Sequence, residues 1–244
     1  MAEWVTHLMV ADKVLERMPM LCRHEFCVGN IAPDCNVANA DWTEFTPSRE
    51  VTHWMKNERK TASDCLAFYS EYIEKRMDDI HSKGELSFLL GYYSHLVTDA
   101  ELQRTIRDPE RVKNSWVRIK SNAVLAERAR GMREDWDSVK QLINREERMK
   151  DFFVIEREYL DTHPNSGYYT EIADLKTFPD YIDYLPKNAI VNKIKIMYYI
   201  PSNEQNQFPN VAFSRQEYID FIKRAVDIVV GTFEEIVENT LIHM

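Results

Sequence analysis

Residues 85–102, ELSFLLGYYSHLVTDAEL, are apolar on nearly every face. A helix of that kind has no side suited to water, so it belongs in the middle of a fold. His95 and Asp99 lie four apart and therefore stand one above the other on one face, shared with Phe88 and Tyr92. A buried aspartate is costly unless it is paired or bound to a metal. Arg104 is the nearest cation in sequence, but it falls beyond the inner stripe. A divalent metal would satisfy imidazole and carboxylate together. A hydrogen-bonded His–Asp core pair is the other reading of the same spacing.

Three further groups pose the same problem. Residues 3–18 (EWVTHLMVADKVLERM) read as an amphipathic helix whose inner stripe is His7, Ala11, Val14 and Met18. His7 then points inward, as a ligand or as a satisfied core histidine. Asp34 follows Gly29-Asn30-Ile31-Ala32-Pro33, a stiff turn restricted by proline. An Asx-turn or helix cap is the plainer role for it. His53 sits in Glu50-Val51-Thr52-His53-Trp54 between bulky side chains, where a partly buried structural histidine is also at home.

The rest of the chain reads as helices joined by loops. Residues 28–48 have loop composition. A helix is expected from a cap at Thr61 through Ile80, broken at Gly84. Residues 111–160 read as two surface helices with a bend near Gly131, carrying Val117, Ile119, Val124, Leu125, Trp136, Val139, Leu142 and Ile143 at helical spacing. Residues 161–212 hold Pro164, Gly167, Pro179, Pro186, Pro201 and Pro209 and are the least regular part, either a lid or wall over a pocket or a set of surface loops. The last helix, 214–242, opens with a capping box, Ser214 and Glu217, and a staple, Phe213 and Tyr218. The pairs Tyr92-Tyr93 and Tyr168-Tyr169 read as core packing.

Only 6 of 244 residues are glycine, which favours helix over a turn-rich β fold. The expectation is an all-α fold in one domain, 1–244, with 1–105 as the half that bears the candidate ligands. A net charge of −9 gives no footprint for nucleic acid or an anionic membrane. Cys22, Cys27, Cys35 and Cys65 lack zinc-knuckle spacing and read as reduced thiols. Neither a signal peptide nor a membrane span is evident, so a cytoplasmic location is expected.

Taken in order, the pieces are an inward His7, Gly29…Pro33-Asp34, Thr52-His53, and Gly91-x-x-x-His95-x-x-x-Asp99. This order resembles the zinc-dependent phospholipase C family, whose helical fold is shared with the single-strand-specific zinc nucleases. The resemblance spans roughly the first hundred residues. It implies that Asp34, His53, His95 and Asp99 hold one metal and that Asp99 bridges to a second position using His7. It implies zinc as the ion, although the carboxylate share also suits iron or manganese. The family's N-terminal tryptophan amine has no counterpart, because Trp4 follows Met1-Ala2-Glu3. Its later histidine and His-x-x-x-Glu pair have none either, since after Asp99 the chain has only His163 and His243. One or two ions are thus expected, with any third site absent or built from carboxylates such as Glu101.

The function implied is a metal-dependent phosphoesterase. It would hydrolyse a soluble phosphate mono- or diester through a metal-activated water, with Asp34 as the catalytic residue that orients the water or takes its proton. The alternative is a degenerate relative that keeps a structural or ligand-binding metal without turnover. A helical interaction module without metal is the third reading.

Overall fold

Helix α1 (Trp4–Arg17) carries the expected stripe inward: His7, Ala11, Val14 and Met18 are all buried. The computed structural model describes residues 2–55, 63–80 and 82–240, the last six of these by backbone alone. Helix α2 (Arg23–Gly29) follows and packs along α5 (Lys83–Arg107), the all-apolar helix, whose residues 86–102 are buried without interruption. Two glycines permit this contact. A Cβ on Gly29 would sit 2.2 Å from the Phe88 carbonyl oxygen, and one on Gly91 would sit 2.3 Å from that of Phe26. The two backbones therefore touch, with no side chain between them.

Between α2 and α5 the chain makes an excursion. A 3-10 turn (Ala32–Asp34) leads into a hairpin of β1 (Val37–Ala38) and β2 (Phe45–Thr46), paired Val37 to Thr46 and Ala38 to Phe45. The Asn39 side-chain oxygen accepts from the Thr43 and Glu44 amides and shapes the tip. The hairpin returns the chain to α3 (Arg49–Thr52). Residues 28–48, expected as loop, thus contain this small sheet, which two-residue strands leave no periodicity to reveal.

The expected helix from Thr61 to Ile80 differs. Thr61 lies outside the described residues, and the first turn seen is α4 (Cys65–Phe68), capped by Asp64, which accepts from the Ala67 amide at 3.1 Å. It continues as a π-helical stretch (Tyr69–Glu74) and a 3-10 turn (Met77–Asp79). The wider turn keeps Tyr72 stacked on Phe68 at 5.2 Å, and Phe68 stacks in turn on Tyr92 at 4.6 Å. Gly84 breaks nothing: it lies inside α5, which starts one residue earlier because the Ser82 hydroxyl caps the Glu85 amide.

Residues 109–162 form four helices, not two: α6 (Pro109–Ser121), α7 (Ala123–Arg128), α8 (Trp136–Leu142) and α9 (Arg145–Thr162). Asn122, Asp135 and Asn144 each cap a new start, which the apolar spacing alone does not reveal. Gly131, at φ 76°, lies in the α7–α8 connection. Val112, Trp116, Ile119, Leu125, Val139 and Ile143 pack with Phe208 and Ala212 into a second apolar cluster, whereas Val117 and Val124 are exposed.

The 161–212 segment is tied to α1 and to the hairpin. Its Ser166 hydroxyl and Gly167 amide donate to buried Asp12 on α1, and α10 (Ala189–Met197) sends Lys193 to Asn36 and over the Trp42 and Phe45 rings of the hairpin. The final helix, α11 (Arg215–Thr240), starts with a reciprocal capping box: the Ser214 amide donates to Glu217 and the Glu217 amide to the Ser214 hydroxyl. Phe213 and Tyr218 both pack on Phe152. No described helix is long and apolar enough to cross a membrane. The described residues form an all-α fold with one two-stranded hairpin.

One buried acid makes a pH prediction. Glu156 of α9 is fully enclosed; the Thr6 hydroxyl donates to one of its oxygens and the other has no partner. Burial pushes its carboxyl up from 4.5 to about 8. The folded state therefore prefers the protonated acid. The contribution of Glu156 to stability is greatest below the unfolded value and falls as pH rises from about 4.5 to about 8, by a total on the order of 5 kcal/mol. In thermal melts from pH 5 to 9 the stability of the wild type relative to Glu156→Gln should show this decline. An unchanged slope in the variant would remove Glu156 as the cause.

Candidate metal centre

The α2–α5 contact sets the first imidazole. Because the backbones touch at Gly29 and Gly91, the carbonyl of Asn30 reaches His95, whose Nδ1 donates to it at 2.7 Å. That bond places the proton on Nδ1 and leaves the Nε2 lone pair free. His7 of α1 stacks on the same ring, with centroids 3.7 Å apart and planes 6° from parallel. His53 caps the C-terminal end of α3, where its Nδ1 is 2.9 Å from the Thr52 hydroxyl. Its Nε2 lies 3.3 Å from His95 Nε2 and 3.3 Å from Asp34 Oδ1.

The carboxylates are held from outside. The Trp4 indole donates to Asp34 Oδ2 at 3.2 Å, and the Ala2 amide donates to Asp99 Oδ1 at 3.0 Å. Arg49 spans both acids, donating to Asp99 Oδ2 at 3.0 Å and to Asp34 Oδ1 at 3.5 Å. Burial works to raise both acids, but for Asp34 the hydrogen bond to His53 and the charges of His95, His53 and Arg49 hold the carboxyl well below the usual range. For Asp99, His95 and His7 lead the same effect. Burial pushes His7 and His95 down, against the pull of both aspartates. The site thus favours neutral His7 and His95 beside ionised Asp34 and Asp99, the protonation states that metal ligation needs.

The structure brings all five sequence-derived residues together. Two groups have ligand atoms within 4.8 Å of one another: His7, His95 and Asp99; and Asp34, His53 and His95. The shared member is His95, where the family resemblance implied Asp99. Neither nitrogen of His7 has a hydrogen-bond partner although the ring is fully buried, and an orphaned buried imidazole is costly. The two 3.3 Å spacings around His53 Nε2 match the edge of a tetrahedron whose arms are about 2.0 Å, the length of zinc–nitrogen and zinc–oxygen bonds. On both counts the residues fit a divalent ion.

Other sequence candidates separate from this cluster. Arg104 pairs with Glu101, not Asp99, and Glu101 is also held by Arg224, so its carboxylate is committed to arginines. His24, a further imidazole near Cys22 and Cys27 in sequence, pairs with Glu171, and no cysteine joins a candidate metal group among the described residues. His243 lies outside them. Tyr92 is fully buried and donates to the Thr52 carbonyl, a packing role that steadies the turn before His53. A cavity of about 1030 Å³ is lined by Glu50, Val51, Trp54, Tyr72 and Tyr184. It does not contain the cluster. Sequence reasoning missed Arg49, although its spacing of four from His53 puts both on one side of the same helical turn.

Residues 6–100 match the family model of zinc dependent phospholipase C. The matched stretch begins one residue before His7 and ends one residue past Asp99, so all five candidate ligands lie within it. The matched stretch runs from the first turn of α1 through most of α5. No curated protein and no solved structure matches the chain.

Proposed function

We propose that this chain is a metal-dependent hydrolase of a phosphate ester, with His7, Asp34, His53, His95 and Asp99 holding one or two divalent ions. The observation that carries the reading is the pair of 3.3 Å spacings from His53 Nε2 to His95 Nε2 and Asp34 Oδ1, inside a region that matches a zinc-dependent family. Zinc is the ion that match favours; iron or manganese would also suit two carboxylates. When bound, such an ion lowers the pKa of a coordinated water and neutralises phosphate oxygens.

The chain's own residues supply the rest. Asn30 holds His95 in one tautomer, and the Thr52 hydroxyl meets His53 on the nitrogen away from the cluster. Trp4 fixes Asp34 by one oxygen and leaves the other turned toward His53. The Asp34 side chain is 18% exposed and that of Asp99 only 6%. Asp34 is thus the carboxylate better placed to orient an attacking water or take its proton. The substrate class is a small phosphate mono- or diester. Four unpaired cysteines fit the reducing cytoplasm. Packing of α11 on both α1 and α5 supports a single domain.

A second reading, metal binding without turnover, has one observation in its favour. His95 belongs to both candidate groups, yet its Nδ1 is committed to Asn30, so one nitrogen cannot serve two ions. The deciding experiment is elemental analysis of protein purified without added metal, followed by hydrolysis assays on a panel of phosphate mono- and diesters. Bound metal with turnover supports the hydrolase. Stoichiometric metal with no turnover across the panel leaves the second reading, and no metal at all sinks both.

A further inference from the structure

Arg49 makes the shortest charge contact in the cluster, 3.0 Å to Asp99, and it takes hold of particular atoms. Its guanidinium donates to Asp34 Oδ1 and Asp99 Oδ2. These are the same oxygens that face His53 Nε2, at 3.3 and 3.8 Å. A cation bound by His53 and either acid through these facing oxygens would have to share them with Arg49. Two positive charges therefore compete for one pair of carboxylate oxygens. The guanidinium stays charged at any physiological pH, so the competition ends only if the side chain swings away. Its surroundings allow that: the side chain is 30% exposed and springs from the four-residue helix α3. The acids themselves stay put, because their other oxygens are held by the Trp4 indole and the Ala2 amide.

We infer that Arg49 is a counter-cation latch: it neutralises the two carboxylates before a divalent ion binds, is displaced from them when the ion arrives, and then offers its guanidinium to the phosphate of the substrate. The planar fork of five donors suits phosphate oxygens as well as carboxylates. Tethered at α3 beside His53, the displaced group stays within reach of an anion at the cluster. This role rests on the proposed metal-dependent chemistry, but it makes a separate claim about the direction in which Arg49 acts on the metal. An arginine that merely oriented the ligands would strengthen metal binding; a competing one weakens it.

The test is a zinc titration of metal-free protein against a chelator of known affinity, for wild type, Arg49→Gln and Arg49→Lys. Calorimetry with inorganic phosphate then follows on the zinc-loaded forms. Arg49→Gln should bind zinc about tenfold tighter or more, yet bind phosphate about tenfold more weakly. Arg49→Lys, which keeps the charge but loses the fork, should fall between the two on both readouts. Misfolding weakens both affinities and cannot produce opposite shifts. Zinc affinity that is unchanged or weaker in Arg49→Gln, or unchanged phosphate affinity, overturns the latch while the hydrolase reading stands. Failure of every form to bind zinc overturns both.

Discussion

Gly91→Ala is expected to cost about 3 kcal/mol or more, among the largest effects of any single methyl group in this chain. The new Cβ would meet the Phe26 carbonyl at 2.3 Å and the Gly29 Cα at 3.1 Å. The obstacle is backbone, so no rotamer change relieves it, and α2 and α5 must move apart. Separation lengthens the Asn30–His95 hydrogen bond and unsettles the ring that both candidate ligand groups share. Denaturant midpoints should fall, and metal affinity should fall with them. Gly29→Ala, 2.2 Å from the Phe88 carbonyl, meets the same wall from the other side. Once one substitution has parted the helices the second should cost less, so the double variant should be less unstable than the sum. Gly231 in α11 is the contrast: nothing lies within 4 Å of its would-be Cβ, and Gly231→Ala should stabilise by about 0.5–1 kcal/mol. Equal behaviour of Gly91 and Gly231 would rule out the close-contact account.

Asp99→Asn should lower metal affinity by about a hundredfold or more while the fold persists. Asparagine keeps the shape, but its single oxygen can accept from the Ala2 amide or from Arg49 and not from both, since these hold different oxygens of Asp99, and it removes the charge that a divalent ion needs. The expected result is protein with native helicity by circular dichroism and little metal by elemental analysis. Wild-type metal content in the variant would show that Asp99 is not a ligand. The same isosteric change at Asp34 should be less disruptive to folding, because that side chain is partly exposed.

Much of the fold and of the cluster could be read from residue order. An uninterrupted apolar helix with two polar groups on one face, His95 and Asp99, led to the centre of the molecule. His7 emerged from a stripe of period 3.6, and the α11 start from a capping box. These are local signals written in spacing. Arg49 escaped because its role depends on the hairpin, which turns the chain back so that α3 faces Asp34 and Asp99. The breaks at Asn122, Asp135 and Asn144 escaped because an N-cap residue is also an ordinary loop residue. Gly84 misled for the opposite reason: glycine reads as a breaker, yet a preceding Ser82 cap let the helix run through it. The glycines of the matched pattern acquired their physical meaning only as a pair, since neither reveals alone which backbone it must admit.

The packing of α11 bears on how portable the ligand-bearing half is. Tyr218 meets Thr6 one residue from His7, Phe233 lies against both Phe26 and Tyr93, and Arg224 bonds Glu101 two residues past Asp99. A helix that contributes none of the five candidate ligands therefore shields the helices that carry them. Transplanted alone, residues 2–107 would bring every donor atom but leave the buried faces of α1 and α5 wet. The minimal working unit is then set by where the core is completed and not by where the motif ends, so any engineered graft of this centre should carry its own substitute for the last helix.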